Sequence, residues 1–306
     1  MAESPTLGDA RRQLLVRTLA ELRPRLHRYA ARMSGSAVDG DDVVQEAMVK
    51  ALESSPEIDN FSELERWLIR VTHNAAIDFL RRRARQEGRR TDEELDMIID
   101  RSARADTFDI ALVSLRTFMR LPSLQRGTVI FKDVLGYSLD EVSNFTGSSV
   151  PAVKSALQRG RAHLQELARE PDDVPAPDLD ARERELLMTY ATRFNARDFD
   201  AVRDMLADEV RLNLVNRLQA DGKRPVSNYF GNYASLGGWL LGLGQVDRRS
   251  ALLVFDPDDV GGAPLYFIVL EWVGDQVGTI RDFRYARYAL EGADIVILQR
   301  PQRAGD

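Results

Sequence analysis

The sequence predicts a multidomain chain in which two all-α units precede one α+β unit. Three observations predict it. Apolar residues recur at three- and four-residue spacing through the first 169 residues, and strand-like runs rich in Val, Ile, Phe and Tyr follow residue 210. Two stretches interrupt these patterns. Residues 86–106 (QEGRRTDEELDMIIDRSARAD) are charged without a sustained apolar face, and 170–182 open with EPDDVPAPDLD, whose three prolines cannot continue a helix. They divide the chain into 1–85, 107–169 and 183–300.

The 306 residues suffice for several compact units, each with its own core. With no cysteine, disulfides, thiolate zinc sites and a cysteine nucleophile are excluded. No apolar run reaches membrane-spanning length, and Arg and Asp occupy the N-terminal stretch where a signal peptide is apolar, so a cytoplasmic location is expected. Charge is uneven. The first 170 residues carry 26 Lys and Arg against 26 Asp and Glu, the rest 16 against 22, so the whole net charge of −6 lies in the C-terminal part. A DNA-binding chain of this charge would bind weakly alone or lean on a basic partner.

In the first unit, helical spacing covers Leu14–Met33, Asp41–Leu52 and Phe61–Leu80. Asp39–Glu46 places carboxylates at the positive end of the second helix. Val44, Ala47, Met48, Ala51 and Leu52 face inward there, and Asp42, Gln45, Glu46 and Val49 outward. In the third helix, extended to Arg85, Leu64, Leu68, Val71 and Ala75 face inward. Arg66, Arg70, His73 and Asn74 form an outward polar face that ends in Arg81, Arg82, Arg83 and Arg85. Cations interleaved with Phe61 and Trp67 suit the phosphates and unstacked bases of separated DNA strands. The alternative is a core Trp67 and an Arg run that complements the helix dipole. The three His stand at no ligand spacing, so no metal site is expected.

In the second unit Ser138–Phe145 reads as a short helix, Thr146–Ser148 as a turn needing Gly147, and Ser149–Leu164 as a second helix with Ser149 as N-cap and Pro151 in its first turn. Val150, Val153, Leu157 and Leu164 face inward. Lys154, Gln158 and Arg161, with Ser155 and Arg159 beside them, offer groups that suit base edges and phosphates. Together these make a helix-turn-helix; alone, the second helix would equally be an amphipathic helix with a solvated basic face.

In the third unit, helical patterns at Arg184–Asn195 and Phe199–Leu206 precede strand runs at Val210–Val215, Ala251–Phe255, Leu265–Val273 and Gly278–Ala289, an α+β order. All His precede residue 164, so catalysis here would fall to Asp204, Asp221, Asp282 or Tyr229, none in a recognisable pair; Asp282 reads equally as a surface charge. Trp239, Trp272, Phe267 and Tyr285 are candidates for a pocket or for an aromatic core.

Residues 39–52, 61–83 and 121–167 (DGDDVVQEAMVKAL, FSELERWLIRVTHNAAIDFLRRR and LPSLQRGTVIFKDVLGYSLDEVSNFTGSSVPAVKSALQRGRAHLQEL) resemble, in order and separation, regions 2 and 4 of extracytoplasmic-function (ECF) sigma factors. The resemblance implies two all-α sigma domains and a non-catalytic factor that lends core RNA polymerase its promoter specificity. Asp42, Gln45 and Glu46 would meet the β′ clamp helices, and region 4 the β flap. Phe61, Trp67, Arg70, His73, Asn74, Arg81 and Arg82 would serve the −10 element, with loop Ser54–Ser62 holding an extruded base. Ser149, Lys154, Ser155, Gln158, Arg159 and Arg161 would serve the −35 element, and 86–106 would thread the polymerase near its active-site cleft and RNA exit path. Ala156 and Gln158 depart from the Arg and His of many relatives, so the −35 preference is not transferable, and Gly160 is unusual mid-helix. Residues 183–300 resemble SnoaL-like cone domains, which implies a fused regulatory module. Asp221, Gly222 and Lys223 are similar to a shortened DGGGK-like regulatory loop. The resemblance implies no cofactor, allows a small-molecule ligand in this domain, and leaves the oligomeric state open. The competing reading is a ligand-responsive DNA-binding regulator that works without polymerase.

Overall fold

The computed structural model describes residues 7–54, 57–87, 110, 113–169, 178–235 and 237–301. Most of the 86–106 stretch and residues 170–177 lie outside the described residues. The chain divides into two compact units, Met1–Asp173 and Val174–Asp306.

In the first unit, α1 (Leu7–Ser34), α2 (Ala37–Ser54) and α3 (Phe61–Gln86) pack on one another. The crossing of α1 and α2 is close because Gly40 lies on Ala31, where a Cβ would come within 2.6 Å of the Ala31 backbone nitrogen. The acidic start of α2 serves packing as well as the helix dipole. Asp41 is buried in an ion pair with Arg23 at 2.8 Å, and Asp39 lies 3.5 Å from Arg83. Leu52, expected inward, is partly exposed, while Val49 is exposed as expected.

Next come α4 (Leu115–Phe118), α5 (Ser123–Val129), a π-helical turn at Ile130–Val134, α6 (Leu139–Thr146) and α7 (Val150–Leu167). A capping box between Ser138 and Glu141 starts α6, and Gly147 ends it at φ +67°. Ser149 caps α7 by accepting from the Ala152 N–H, with Pro151 in the first turn. Helices α1–α3 and α4–α7 share one continuous core, in which Leu26, Tyr29, Leu68 and Ile69 join Phe131, Val142, Phe145 and Leu157. Arg126, fully buried, ties the two groups by donating to the carbonyls of Met33, Met119 and Leu121.

The second unit holds α8 (Ala181–Asn195), α9 (Phe199–Asp204), β1 (Leu206–Leu214), β2 (Leu218–Asp221), α10 (Lys223–Ser235), β3 (Leu240–Val246), β4 (Arg249–Phe255), β5 (Tyr266–Val273), β6 (Gln276–Asp282) and β7 (Ile295–Gln299). Among the described residues they form a seven-stranded sheet of order β2-β1-β6-β5-β4-β3-β7, with β1 and β6 parallel and the other neighbours antiparallel. Helix α8 packs on β3 and β4, and α10 on β1 and β2. Phe194, Phe199, Phe230, Tyr233 and Trp239 fill the space between helices and sheet with edge-on and tilted ring contacts. This is an α+β unit. The strand expected over 278–289 ends at Asp282 and gives way to a 3-10 turn at Arg287–Leu290.

Candidate nucleic-acid interface

Helix α3 is launched by Asn60, whose side chain accepts from the Glu63 N–H at 2.8 Å. Arg11 of α1 holds the preceding residue, Asp59, through two contacts of 2.5 and 2.9 Å. Residues 55 and 56 of the expected base-holding loop lie outside the described residues. Arg66, Arg70, Asn74 and Arg81 are exposed along α3, Phe61 is 41% exposed at its start, and Trp67 is half-buried against the core. The structure therefore unites an exposed basic face with two aromatic side chains.

His73 departs from the outward face expected for it. It is buried, with Nδ1 2.6 Å from the Tyr29 hydroxyl. Phe131 stacks on Tyr29 at 4.2 Å and tilts against the imidazole at 5.9 Å. Burial lowers the His73 pKa to about 4 and raises that of Tyr29, so at neutral pH the phenol donates to a neutral imidazole. The ring that covers His73 comes from a distant segment, which the periodicity of α3 cannot reveal.

Arg82 is engaged as well, bonding Glu46 on α2 at 2.5 Å, while Lys50 approaches the same carboxylate at 2.8 Å. These hydrogen bonds, Arg82's foremost, hold the Glu46 carboxyl below its usual range. Asp42 is exposed and Gln45 half-buried on the same helix. The residues expected to meet polymerase thus lie beside one expected to meet DNA.

On α7, Ser149, Lys154, Ser155 and Gln158 are exposed, and Arg159 is half-buried. Arg161 is not free to read DNA here. It makes a two-pronged contact with Asp133 in the π-helical turn, Nε to Oδ2 at 2.8 Å and the second nitrogen to Oδ1 at 2.5 Å. Gly160 is explained by packing, since a Cβ there would lie 2.8 Å from Val129 Cγ2 and 3.3 Å from the Gln125 carbonyl. A polar cleft of about 590 Å³ separates α3, at His73, Asn74 and Arg81, from Ser123, Thr146 and Ser148.

In the second unit Asp221 ends β2, Gly222 turns at φ +87° and Lys223 begins α10, so these residues form a tight strand-to-helix turn. Asp282 is fully buried and not a surface charge. Its Oδ2 accepts from Tyr229 at 2.8 Å and Tyr233 at 2.7 Å, and its Oδ1 from the Arg284 N–H at 2.8 Å. Burial pushes this carboxyl up, and the three donors partly offset the shift. Tyr229 and Asp282 are both among the residues singled out from the sequence, but their pairing and the part of Tyr233 are not legible there, because no helix is expected over 223–235. Asp204 and Asp221 are absent from the cluster. Trp239 and Phe267 are core residues, Tyr285 is exposed, and Trp272 is half-buried.

Among the described residues no group of three or more His, Cys, Asp or Glu is placed to hold a metal ion, and no helix is long and apolar enough to cross a membrane.

Comparison with known proteins accounts for this arrangement. The Sigma-70 region 2 family matches residues 19–86, and the Sigma-70 region 4 family matches 115–164. Two such regions in this order define a promoter-specificity factor of RNA polymerase. The chain is 34% identical over 142 residues to the ECF RNA polymerase sigma factor SigM of Mycobacterium tuberculosis, covering 46% of this chain and 70% of that relative. It belongs to the ECF sigma factors, a non-catalytic family that binds core RNA polymerase and promoter DNA and directs the one to the other. Membership sets aside a regulator that works without polymerase. Among solved structures, the Mycobacterium tuberculosis ECF sigma factor SigJ is similar at a TM-score of 0.33 and 16% identity, covering 86% of this chain and 93% of that one. An NTF2-like protein of unknown function from Cytophaga hutchinsonii is similar at a TM-score of 0.24 and 19% identity, covering 32% of this chain and 94% of that one.

Proposed function

We propose that the acidic C-terminal unit modulates how the sigma unit engages polymerase and promoter. In this reading 1–85 serves polymerase binding and the −10 element, 107–169 the −35 element, and 183–300 regulation. The observation that carries it is the charge division: the sigma part is neutral overall, and the whole net charge of −6 lies beyond residue 170. A compact acidic body tethered to a neutral sigma unit changes the field met by basic polymerase surfaces and by DNA phosphates alike.

Exposed Asp42, with Gln45 and Glu46, offers the β′ clamp helices an acidic edge, and the β flap is assigned to α4–α7. Arg70, Asn74 and Arg81, with Phe61 and Trp67, offer the −10 strand cations and aromatic faces. Lys154, Ser155 and Gln158 offer the −35 groove its donors and acceptors. His73, Arg82 and Arg161 contribute to promoter contact only if their present partners release them.

Run-off transcription with the full chain and with residues 1–173, both shown folded by circular dichroism, tests the reading. Different activity or polymerase affinity is expected. Equal values would overturn the regulatory role and leave family membership untouched.

A further inference from the structure

The C-terminal unit is acidic overall, yet one end of its sheet is basic and aromatic. The β1–β2 hairpin turns through 215–217, with Asn216 at φ +71°. The Asn216 side chain donates to the Tyr285 carbonyl at 3.0 Å and to the Tyr288 hydroxyl at 3.1 Å, which joins the hairpin to the segment after β6. Three guanidinium groups gather at this junction. Arg217 lies over the Tyr285 ring, 5.7 Å from its centroid. Arg284 lies over Tyr233 and Tyr266, 5.1 and 6.0 Å from their centroids. Arg287 acts on the same Tyr266: burial raises that phenol to about 12, and the Arg284 and Arg287 charges both oppose the rise.

These arginines differ from those committed to the fold. Arg182 and Arg203 are paired with carboxylates, whereas among the described residues Arg217, Arg284 and Arg287 are not. Asp282, the nearest acid in sequence, is buried and already accepts from Tyr229, Tyr233 and the Arg284 N–H. Arg217, Tyr285 and Arg287 are exposed, and Arg284 is half-buried.

Guanidinium groups without carboxylates favour an anion, and an exposed phenol ring beside them favours a flat apolar group. A phosphodiester strand with unstacked bases meets both needs, phosphates on the arginines and a base on Tyr285. A protein carboxylate would leave the ring unused, and a duplex keeps its bases stacked. Because residues beyond 170 carry a net charge of −6, a polyanion is admitted only where the local sign is reversed. We propose that this end of the C-terminal unit binds single-stranded nucleic acid. In a transcribing complex the source is a separated DNA strand or the transcript. The inference rests on the regulatory reading of this unit and names a partner for it.

The test is photocrosslinking of the full chain to a short oligothymidylate that carries one 5-iododeoxyuridine, in parallel with its ribo counterpart and with the annealed DNA duplex. Labelled residues are mapped by mass spectrometry. Saturable labelling of Tyr285 by at least one single strand is expected, the stronger of the two identifying the source, with weak labelling by the duplex. The double variant Arg217→Gln, Arg287→Gln changes exposed side chains alone and is expected to weaken Tyr285 labelling at least about fivefold, in line with two lost phosphate contacts. Unlabelled oligothymidylate is expected to compete, and polyglutamate of equal charge to compete poorly. No labelling of Tyr285, equal labelling by the duplex, undiminished labelling of the variant, or equal competition by polyglutamate would each overturn the proposal. The run-off comparison is independent of this crosslink, so failure of the site is distinguishable from failure of the regulatory reading.

Discussion

The Tyr29 hydroxyl and His73 Nδ1 stand 2.6 Å apart in a core that α1 and α3 share with the segment carrying Phe131. Both residues belong to region 2, and Phe131 of region 4 packs on the two rings, so the cluster ties the two sigma regions together inside one unit. It also removes from solvent a histidine whose place on α3 would otherwise put it among the exposed cations.

Burial of His73 makes stability depend on pH. The folded pKa of His73, about 4, lies below the ordinary value of 6.5, so the neutral form is favoured on folding. The contribution is fully present above about pH 6.5 and is lost as pH falls towards 4. His27, also buried and lowered, acts in the same direction. Between pH 7.5 and 5, His73 should account for about 2 kcal/mol of lost stability. Denaturant unfolding of the wild type and His73→Gln at both pH values checks this, with a smaller pH dependence expected in the variant.

Gly160 should resist even alanine. Helix propensity alone would make Gly160→Ala stabilising by about 1 kcal/mol, but the new methyl meets stiff Val129 at 2.8 Å. Overpacking of this kind costs about 1–3 kcal/mol, so a net loss is expected. Thermal unfolding reads it, and Val129→Ala in the same chain should recover part of the loss relative to Val129→Ala alone.

Arg161 and Lys154 should separate stability from promoter contact. Arg161→Ala breaks the two-pronged bond to Asp133 and should lower stability by about 1 kcal/mol. Lys154→Ala should leave thermal unfolding unchanged, weaken binding of the holoenzyme to promoter DNA and reduce the salt slope by about 1. Paired melting and salt-titrated binding measurements distinguish the two.

Asp282 should be intolerant of truncation. Asp282→Ala leaves the buried Tyr229 hydroxyl without its acceptor and Tyr233 with only the Tyr266 hydroxyl, and a loss of about 2–3 kcal/mol is expected in the unfolding of the C-terminal unit. Asp282→Asn, which keeps one acceptor, should lose less.

The helix-turn-helix was legible because its signals are local: a cap at Ser149, a left-handed Gly147 and Pro151 in the first turn of α7. What was not legible depends on contacts between distant segments. Helix α10 has Pro225 and Gly231 in KRPVSNYFGNYAS, weak helix formers, yet Val226, Tyr229, Phe230 and Tyr233 bury one face against the sheet. Strand β3 has two glycines where β7 passes so closely that a Cβ at Gly242 or Gly244 would meet the carbonyls of Gln299 or Val296 at 2.6 and 2.5 Å. Arg161 reads as a DNA contact by spacing, and Asp133 lies 28 residues before it. Asp282 reads equally as a catalytic candidate and as a surface charge until α10 supplies the tyrosines. Among the site residues, exposure of Arg70, Asn74, Lys154, Ser155 and Gln158 agrees with the faces drawn from periodicity, and the departure of His73 traces to Phe131.

The regulatory role of the acidic unit is tested most directly by run-off transcription from one promoter with core polymerase, comparing the full chain with residues 1–173 at matched concentrations. The account predicts that removing the C-terminal unit changes the transcript yield and the polymerase concentration at half-maximal activity. Superimposable titrations of the two proteins would contradict it.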